Sequence, residues 1–203
     1  PILILLIHLC IGLPYLKHLY LVNSGITVVP DFLSTLINLE GLGLDSNQLI
    51  AFPDFLGDFS KLKTLILGGG KITSIPESIS KITGLNRLKI CHTALTVVPT
   101  FIGNFSDLKA LFLNDNKLTE IPEFVGDLSK LERLCLSGNN LTEIPDFIGK
   151  CKNLKTLTVS GNNITRLPIS LLNLASLRRL VLWDNPIKEL PPELIHLQNI
   201  THF

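Results

Sequence analysis

Proline recurs every 23 residues along this 203-residue chain, for eight consecutive cycles. The prolines at this spacing are Pro30, Pro53, Pro76, Pro99, Pro122, Pro145, Pro168 and Pro191. Composition alone does not produce a fixed period, so the chain is a tandem array of one structural unit. A single unit of this length cannot bury its own apolar residues, and the fold must therefore form by stacking neighbouring units.

Almost every other apolar residue keeps the same period. Numbered from a leucine at position 1, the unit reads L-x-x-L-x-L-x-x-N-x-L-x-x-I-P-x-F-I-x-x-L-x-x. Full units begin at Leu16, Leu39, Leu62, Leu85, Leu108, Leu131, Leu154 and Leu177. The L-x-L alternation predicts a short strand with one buried face, and the apolar residues spaced by three after the proline predict a helical or 3₁₀ turn.

This unit resembles the leucine-rich repeat in its 23-residue form. It is similar to the intracellular class found in Ras-binding scaffolds, Scribble-type polarity proteins and leptospiral repeat proteins. The resemblance implies an α/β fold: a leucine-rich repeat solenoid, or curved horseshoe, with a parallel concave sheet and short helical or 3₁₀ convex segments. We expect a single domain over residues 1–203, with partial repeats at 1–15 and 200–203. Because both ends fall inside a repeat, we expect a fragment of a longer protein.

Composition excludes several classes of partner. The net charge is +1 and charged residues of both signs are interspersed, which gives no clustered basic face for nucleic acid. The apolar run Ile2–Ile7 is too short to span a bilayer, so we expect no membrane insertion.

The four cysteines favour a reducing compartment. Cys10 and Cys151 occupy core positions, whereas Cys91 and Cys135 are expected on the open strand face, two strands apart and beyond disulfide reach. Free thiols indicate a cytoplasmic protein. Four N-x-S/T sequons, at Asn104, Asn140, Asn163 and Asn199, favour the alternative of an extracellular protein.

No motif predicts catalysis, a cofactor or a metal. The run Gly68–Lys71 lacks the first glycine and the hydroxyl residue of a phosphate-binding loop. Cys91 and His92 are adjacent on an extended chain and have no third group to orient the imidazole. The five histidines show no metal-ligand spacing. We therefore predict that the chain is not an enzyme.

Position 9 of the unit is expected to carry a structural asparagine ladder. A buried amide has two donors and an acceptor, and it can satisfy the backbone of two adjacent turns. The ladder residues are Asn47, Asn116, Asn139, Asn162 and Asn185. The ladder lapses at Ser24, Gly70 and Thr93.

Positions 3, 5, 7 and 8 should project from the outer face of the sheet, since positions 4 and 6 point inward. This face varies from unit to unit while the core does not, which is how a shared scaffold carries individual recognition. The candidate protein-binding residues are Tyr20, Arg87, Lys89, His92, Phe112, Asp115, Arg133, Arg179, Val181, Trp183 and Asp184.

The sequence thus predicts a non-catalytic protein-binding scaffold. By class resemblance alone, the partner is a protein such as a small GTPase or another signalling protein. The alternative is a ligand-sensing or targeting repeat region of a larger multidomain receptor, resistance protein or bacterial effector.

Overall fold

The computed structural model describes residues 13–196. Eight strands form one open parallel sheet in chain order, each strand pairing with the next. They are β1 (His18–Tyr20), β2 (Gly41–Gly43), β3 (Thr64–Gly68), β4 (Arg87–Cys91), β5 (Ala110–Phe112), β6 (Arg133–Cys135), β7 (Thr156–Thr158) and β8 (Arg179–Val181). The predicted solenoid with a parallel sheet is confirmed.

The strand register places equivalent repeat positions side by side. Leu65 of β3 pairs with Leu88 of β4, and Leu111 of β5 pairs with Leu134 of β6. These position-4 leucines are fully buried in a continuous apolar core. Burial of each repeat therefore depends on its neighbours, as in other solenoids.

A short 3₁₀ segment follows the proline of every unit on the other side of the core. These segments are η1 (Asp31–Thr35), η2 (Asp54–Asp58), η3 (Glu77–Lys81), η4 (Thr100–Asn104), η5 (Glu123–Asp127), η6 (Asp146–Lys150), η7 (Ile169–Asn173) and η8 (Pro192–His196). Proline fixes φ near the helical value and its carbonyl accepts the first bond of the turn, as in Leu33 N–H to Pro30 O at 3.0 Å.

The position-9 asparagines join consecutive turns through their side-chain amides. Asn139 donates to Leu113 O of the preceding repeat and to Leu136 O of its own, both at 2.9 Å. Its Oδ1 accepts the N–H of Leu118 at 3.0 Å. Asn47, Asn162 and Asn185 bond in the same pattern. The amide thus satisfies backbone groups that the strand ladder leaves unpaired.

The ladder is handled differently where asparagine is absent. Thr93 donates its hydroxyl to Asn116 Oδ1 and so links the fourth turn to the fifth. At Gly70 the backbone has a φ of +77°, and an added Cβ would lie 2.0 Å from Leu49 O. The turn of the third repeat therefore packs its main chain directly against the second.

Strands β3 and β4 are also longer than the other six. Each has five residues, and their pairing extends to Leu67 with Ile90 and Gly68 with Cys91. This extension lies at the two repeats where the asparagine is replaced by Gly70 and Thr93.

Glycine at position 19 sets the distance between 3₁₀ segments. An alanine Cβ at Gly57 would lie 2.0 Å from the Ser78 carbonyl oxygen of η3. We expect Gly57→Ala to lower the free energy of unfolding by about 1–3 kcal/mol, because the backbone of the next repeat would have to move. Urea unfolding monitored by circular dichroism measures this.

Gly84→Ala is the matched control for that substitution. Its Cβ would meet only the Lys63 ammonium, at 2.6 Å, and this flexible side chain can swing away. An equal loss of stability in both variants would contradict the backbone-clash account.

Within residues 13–196, no helix is long and apolar enough to cross a membrane.

Candidate binding site on the concave face

We use the name concave face for the surface formed by positions 3, 5, 7 and 8 of the repeats. Its side chains alternate along each strand with those of the core, because successive residues of a strand point to opposite sides. Most of the predicted binding residues are at least partly accessible there: Tyr20, Arg87, Lys89, His92, Phe112, Asp115, Arg133, Arg179, Trp183 and Asp184. Val181 is the exception.

Three exposed arginines lie in register on alternating strands. Arg87 of β4 and Arg133 of β6 both pair with Ala110 of β5, and Arg133 and Arg179 both pair with Thr156 of β7. Neighbouring strands are about 4.8 Å apart, so the arginine Cα atoms are spaced by about 10 Å. We call Arg87, Arg133 and Arg179 the arginine row.

Phe112 lies beside the first arginine of this row. The Arg87 guanidinium carbon is 5.0 Å from the centroid of the Phe112 ring, which is a cation–π contact. Phe112 is half-buried and pairs in register with Lys89 on one side and Cys135 on the other. The contact fixes an apolar surface next to a positive charge.

The arginine row is not engaged in salt bridges within residues 13–196. Among the residues that the structure describes, no carboxylate lies within salt-bridge distance of Arg87, Arg133 or Arg179. The acidic residues of this part of the face, Asp115 and Asp184, stand at position 8, on the opposite edge of the strands. In this part of the face the three arginines and the two aspartates therefore stand at opposite ends of the strands.

Lys89, unlike the three arginines, forms a salt bridge within the fold. Its ammonium bonds Asp45 Oδ2 at 2.7 Å, reaching across β3 above Gly68, and both side chains are largely buried. Its charge is neutralised within the fold. Lys89 is a predicted binding residue whose ammonium is already held by a carboxylate two strands away.

Val181 is also unavailable for contacts, contrary to its predicted role. It is only 3% exposed, although it does not belong to the continuous core. Its short side chain stands between those of Arg179 and Trp183 on the same face of the chain. Trp183 remains 57% exposed, so the aromatic surface of the eighth repeat persists without the valine.

Position 8 has a structural role that the sequence pattern alone did not reveal. Asn23, Ser46, His92, Asp115 and Asp184 all have φ between 51° and 57°, and the glycines at this position are also left-handed. Asparagine, aspartate and glycine tolerate this region best, and their enrichment at position 8 was the available signal. Residue choice there is thus constrained by the turn.

His92 and Asp115 also contact each other across neighbouring turns. His92 Nδ1 is 3.3 Å from Asp115 Oδ2, and both side chains are more than half exposed. The pair lies at the position-8 end of the strands, away from the arginine row.

Tyr20 lies over the two glycines of β2. A Cβ at Gly43 would be 2.4 Å from the Tyr20 ring, and one at Gly41 would be 2.6 Å from both the Tyr20 hydroxyl and His18 Nδ1. Rings of His18 and Tyr20 are stacked, with centroids 6.4 Å apart. The side chains of His18 and Tyr20 therefore pack directly on the backbone of Gly41 and Gly43, and part of the Tyr20 surface is covered within the fold.

The cysteines on this face are buried, contrary to expectation. Cys91 is 1% exposed and Cys135 is 9% exposed, and both are free, as is buried Cys151. Burial raises the pKa of Cys91 and of Cys151 to about 11 and that of Cys135 above its ordinary value. Cys10 lies outside the described residues.

These three thiols should react slowly in the folded protein. Because only the thiolate is nucleophilic and the raised pKa disfavours it at pH 8, we expect maleimide labelling of Cys91, Cys135 and Cys151 only on unfolding. Mass spectrometry with and without denaturant measures this. Rapid native labelling of Cys91 or Cys135 would contradict the burial shown by the structure.

Metal ligands are not grouped on this face or elsewhere in residues 13–196: no cluster of three or more histidine, cysteine, aspartate or glutamate side chains occurs there.

The family model of the leucine-rich repeat matches residues 83–141 and 129–187, just over half of the chain. This chain belongs to the leucine-rich repeat family. No curated protein sequence matches it significantly.

Solved structures of other leucine-rich repeat proteins share the fold. A Leptospira interrogans repeat protein is 31% identical, with a TM-score of 0.73 over 88% of this chain and 52% of its own. An internalin of Listeria monocytogenes is 23% identical, with a TM-score of 0.82 over 95% of this chain and 55% of its own, and shows the fold alone.

A third neighbour is a receptor in complex with a ligand. The ectodomain of the Arabidopsis thaliana membrane receptor kinase GASSHO1/SCHENGEN3, in complex with Casparian strip integrity factor 2, is 29% identical with a TM-score of 0.71. The match covers 86% of this chain and 22% of that one. The chain thus spans about half the length of the first two neighbours and less of the third.

Proposed function

We propose that this leucine-rich repeat chain is a non-catalytic recognition module that binds an extended, acidic segment of a protein on its concave face. The observation that carries the proposal is the arginine row beside Phe112: three exposed guanidinium groups that form no salt bridge within residues 13–196, next to an accessible ring. Arginine and aromatic residues dominate the binding energy of protein interfaces. Carboxylates of the partner would supply the missing counter-ions.

The spacing of the arginine row gives the partner a sequence pattern. A polyproline II segment repeats every three residues and rises about 3.1 Å per residue, so side chains three apart are about 9 Å apart on one side. This nearly matches the arginine spacing of about 10 Å. We therefore expect acidic residues at every third position of the bound segment, with an apolar residue at Phe112.

The alternative is that the chain is the ligand-sensing or targeting region of a larger receptor, resistance protein or bacterial effector. It is supported by the receptor ectodomain that binds a named factor and by the share of each neighbour that this chain covers. Both versions use the concave face. The full-length gene separates them, since only the alternative requires an attached catalytic, signalling or anchoring domain. The proposal does not extend to a small GTPase as the partner.

We propose a cytoplasmic location, because the three described cysteines are free thiols. The extracellular alternative is supported by Asn104, Asn140 and Asn163, whose side chains are exposed at their sequons. Intact mass of the protein isolated from its natural source distinguishes the two, because N-glycans require passage through the secretory pathway.

Selection from a random peptide display library tests the proposed binding. The folded wild-type chain serves as bait, and a folded variant with Arg87, Arg133 and Arg179 changed to glutamate serves for counter-selection. We expect enriched peptides to carry acidic residues three apart and to bind less tightly as salt rises. Enriched peptides that lack acidic residues and bind both baits equally would refute the acidic-segment proposal.

A further inference from the structure

A row of charged side chains runs along the edge of the sheet where the strands begin. It occupies position 2 of the repeats and alternates lysine with glutamate from Lys17 to Lys63 and again from Lys109 to Lys155. Lys17 bonds Glu40 at 2.8 Å, and Lys155 bonds Glu132 at 2.8 Å, each pair bridging adjacent repeats. Glu40 and Glu132 therefore mark the position that an anionic group takes between two lysines of this row.

The fourth repeat has no carboxylate at position 2. Asn86 stands where glutamate would complete the alternation, between Lys63 and Lys109. The adjacent row at position 23 lapses two residues earlier, because Gly84 at the end of the third repeat has no side chain, and the Lys63 ammonium lies 2.6 Å from the place that an added Cβ would take. Both interruptions fall at one place on the edge.

A cleft occupies that place. Its volume is about 300 Å³, and its lining consists of Lys63, Gly84, Asn86, Asp107, Lys109 and Lys130. We call it the lysine cleft. Asp107 bonds Lys130 at 2.6 Å. The bond from Lys130 holds the pKa of Asp107 below its ordinary value, and Lys63 and Lys109, which line the same cleft, lower it further.

The local charges do not balance. Lys63, Lys109 and Lys130 line the cleft together with one carboxylate, that of Asp107, which leaves two positive charges in excess there. Asp107 is bonded to Lys130, and the two glutamates of the row, Glu40 and Glu132, are bonded to Lys17 and Lys155. Lys63 and Lys109, on either side of Asn86, are the lysines left without a carboxylate at salt-bridge distance among the described residues.

We propose that the lysine cleft is a second binding site, independent of the concave face, which takes one phosphate or sulfate group in the position that a glutamate occupies elsewhere in the row. Lys63 and Lys109 supply the charge, and the Asn86 amide is placed to donate a further hydrogen bond. The group is either a free oxyanion or one carried on a partner's side chain.

Thermal unfolding at constant ionic strength tests the site, with sodium phosphate, sodium sulfate, N-acetyl-phosphoserine amide or sodium acetate replacing sodium chloride. We expect 50 mM phosphate or sulfate to raise the Tm of the wild type by about 2 °C relative to chloride, and acetate to raise it less. Phosphoserine amide acting more strongly than phosphate assigns the group to a partner's side chain, and the reverse assigns it to a free ion.

Asn86→Glu is the decisive variant, because it restores the missing carboxylate. It should abolish the phosphate effect and raise the Tm in chloride. Asn140→Glu is its charge-matched control, since Asn140 is exposed on the opposite edge of the sheet, and it should respond to phosphate as the wild type does. Lys63→Ala and Lys109→Ala should each lose the effect and do not depend on how Asn86→Glu folds.

Chemical shifts of the backbone amides provide a second measurement. Phosphate should move the amide resonances of Asn86, Lys63 and Lys109 in the wild type. No Tm difference between phosphate and chloride, an unchanged response in Asn86→Glu, or an equal loss in Asn140→Glu would each refute the site. None of these outcomes bears on the concave face, which lies on the strands themselves.

Discussion

Replacing Phe112 by alanine together with Arg133 by glutamate should weaken binding of a library-selected acidic peptide by about a hundredfold. An interface aromatic contributes about 2 kcal/mol when buried in a complex, which corresponds to about thirtyfold in affinity. Reversing the central charge of the arginine row adds repulsion against the carboxylates of the peptide. Isothermal titration calorimetry at low and at physiological salt measures the loss.

The fold should tolerate this double substitution. Phe112 and Arg133 project from the sheet and do not belong to the continuous core. Val97→Ala with Arg166→Glu is the matched control, because Val97 is 63% exposed and Arg166 is exposed, both away from the concave face. Undiminished binding by the folded Phe112 and Arg133 variant, with a loss in the control, would show that another surface binds the peptide.

Asn139→Ala should destabilise the protein by about 3 kcal/mol. The substitution removes the bonds to Leu113 O, Leu136 O and Leu118 N–H, all in the buried turn region. A buried backbone group left without a partner costs about 1–3 kcal/mol, so the loss is larger than that of one exposed hydrogen bond. The midpoint of urea unfolding, with the slope unchanged, measures it.

Asn140→Ala is the control for this prediction. It is the neighbouring asparagine, it undergoes the same chemical change, and its side chain is exposed. We expect it to shift the midpoint hardly at all, because surface substitutions away from special features change stability little. If Asn139→Ala were equally neutral, the amide bonds would not be what holds consecutive turns together.

The repeat register could be predicted from the sequence because it is periodic. A leucine three positions and an aliphatic residue five positions after the start of each unit fix which face of every strand is buried, and proline fixes where each 3₁₀ segment begins. The bonds of Asn47 and Asn162 follow from the same spacing, since equivalent residues of consecutive repeats stand side by side.

The burial and the charge pairing of individual side chains on the concave face could not be predicted from the repeat pattern. Both depend on neighbours in other repeats, which a one-repeat pattern does not describe. Lys89 is neutralised by Asp45 because Gly68 on the intervening strand leaves room. Cys135 is buried although it points outward between Phe112 and Thr158 of the neighbouring strands, and Val181 stands between Arg179 and Trp183. Strand alternation predicts the face to which a side chain points, but it does not predict how far neighbouring side chains bury it.

The longer pairing of β3 with β4 has a consequence for how the array tolerates change. Between these repeats the turns are joined by main-chain bonds, from Gly69 N–H to Cys91 O at 3.2 Å and from Ala94 N–H to Ile72 O at 2.8 Å, and Thr93 stands in place of the amide that joins turns elsewhere. Main-chain bonds do not depend on residue identity. Substitutions of the outward-facing Thr64 or Arg87 should therefore cost less stability than those of Asn139 or Asn162, whereas Gly68 cannot accept a side chain because an added Cβ would lie 2.4 Å from Cys91 O.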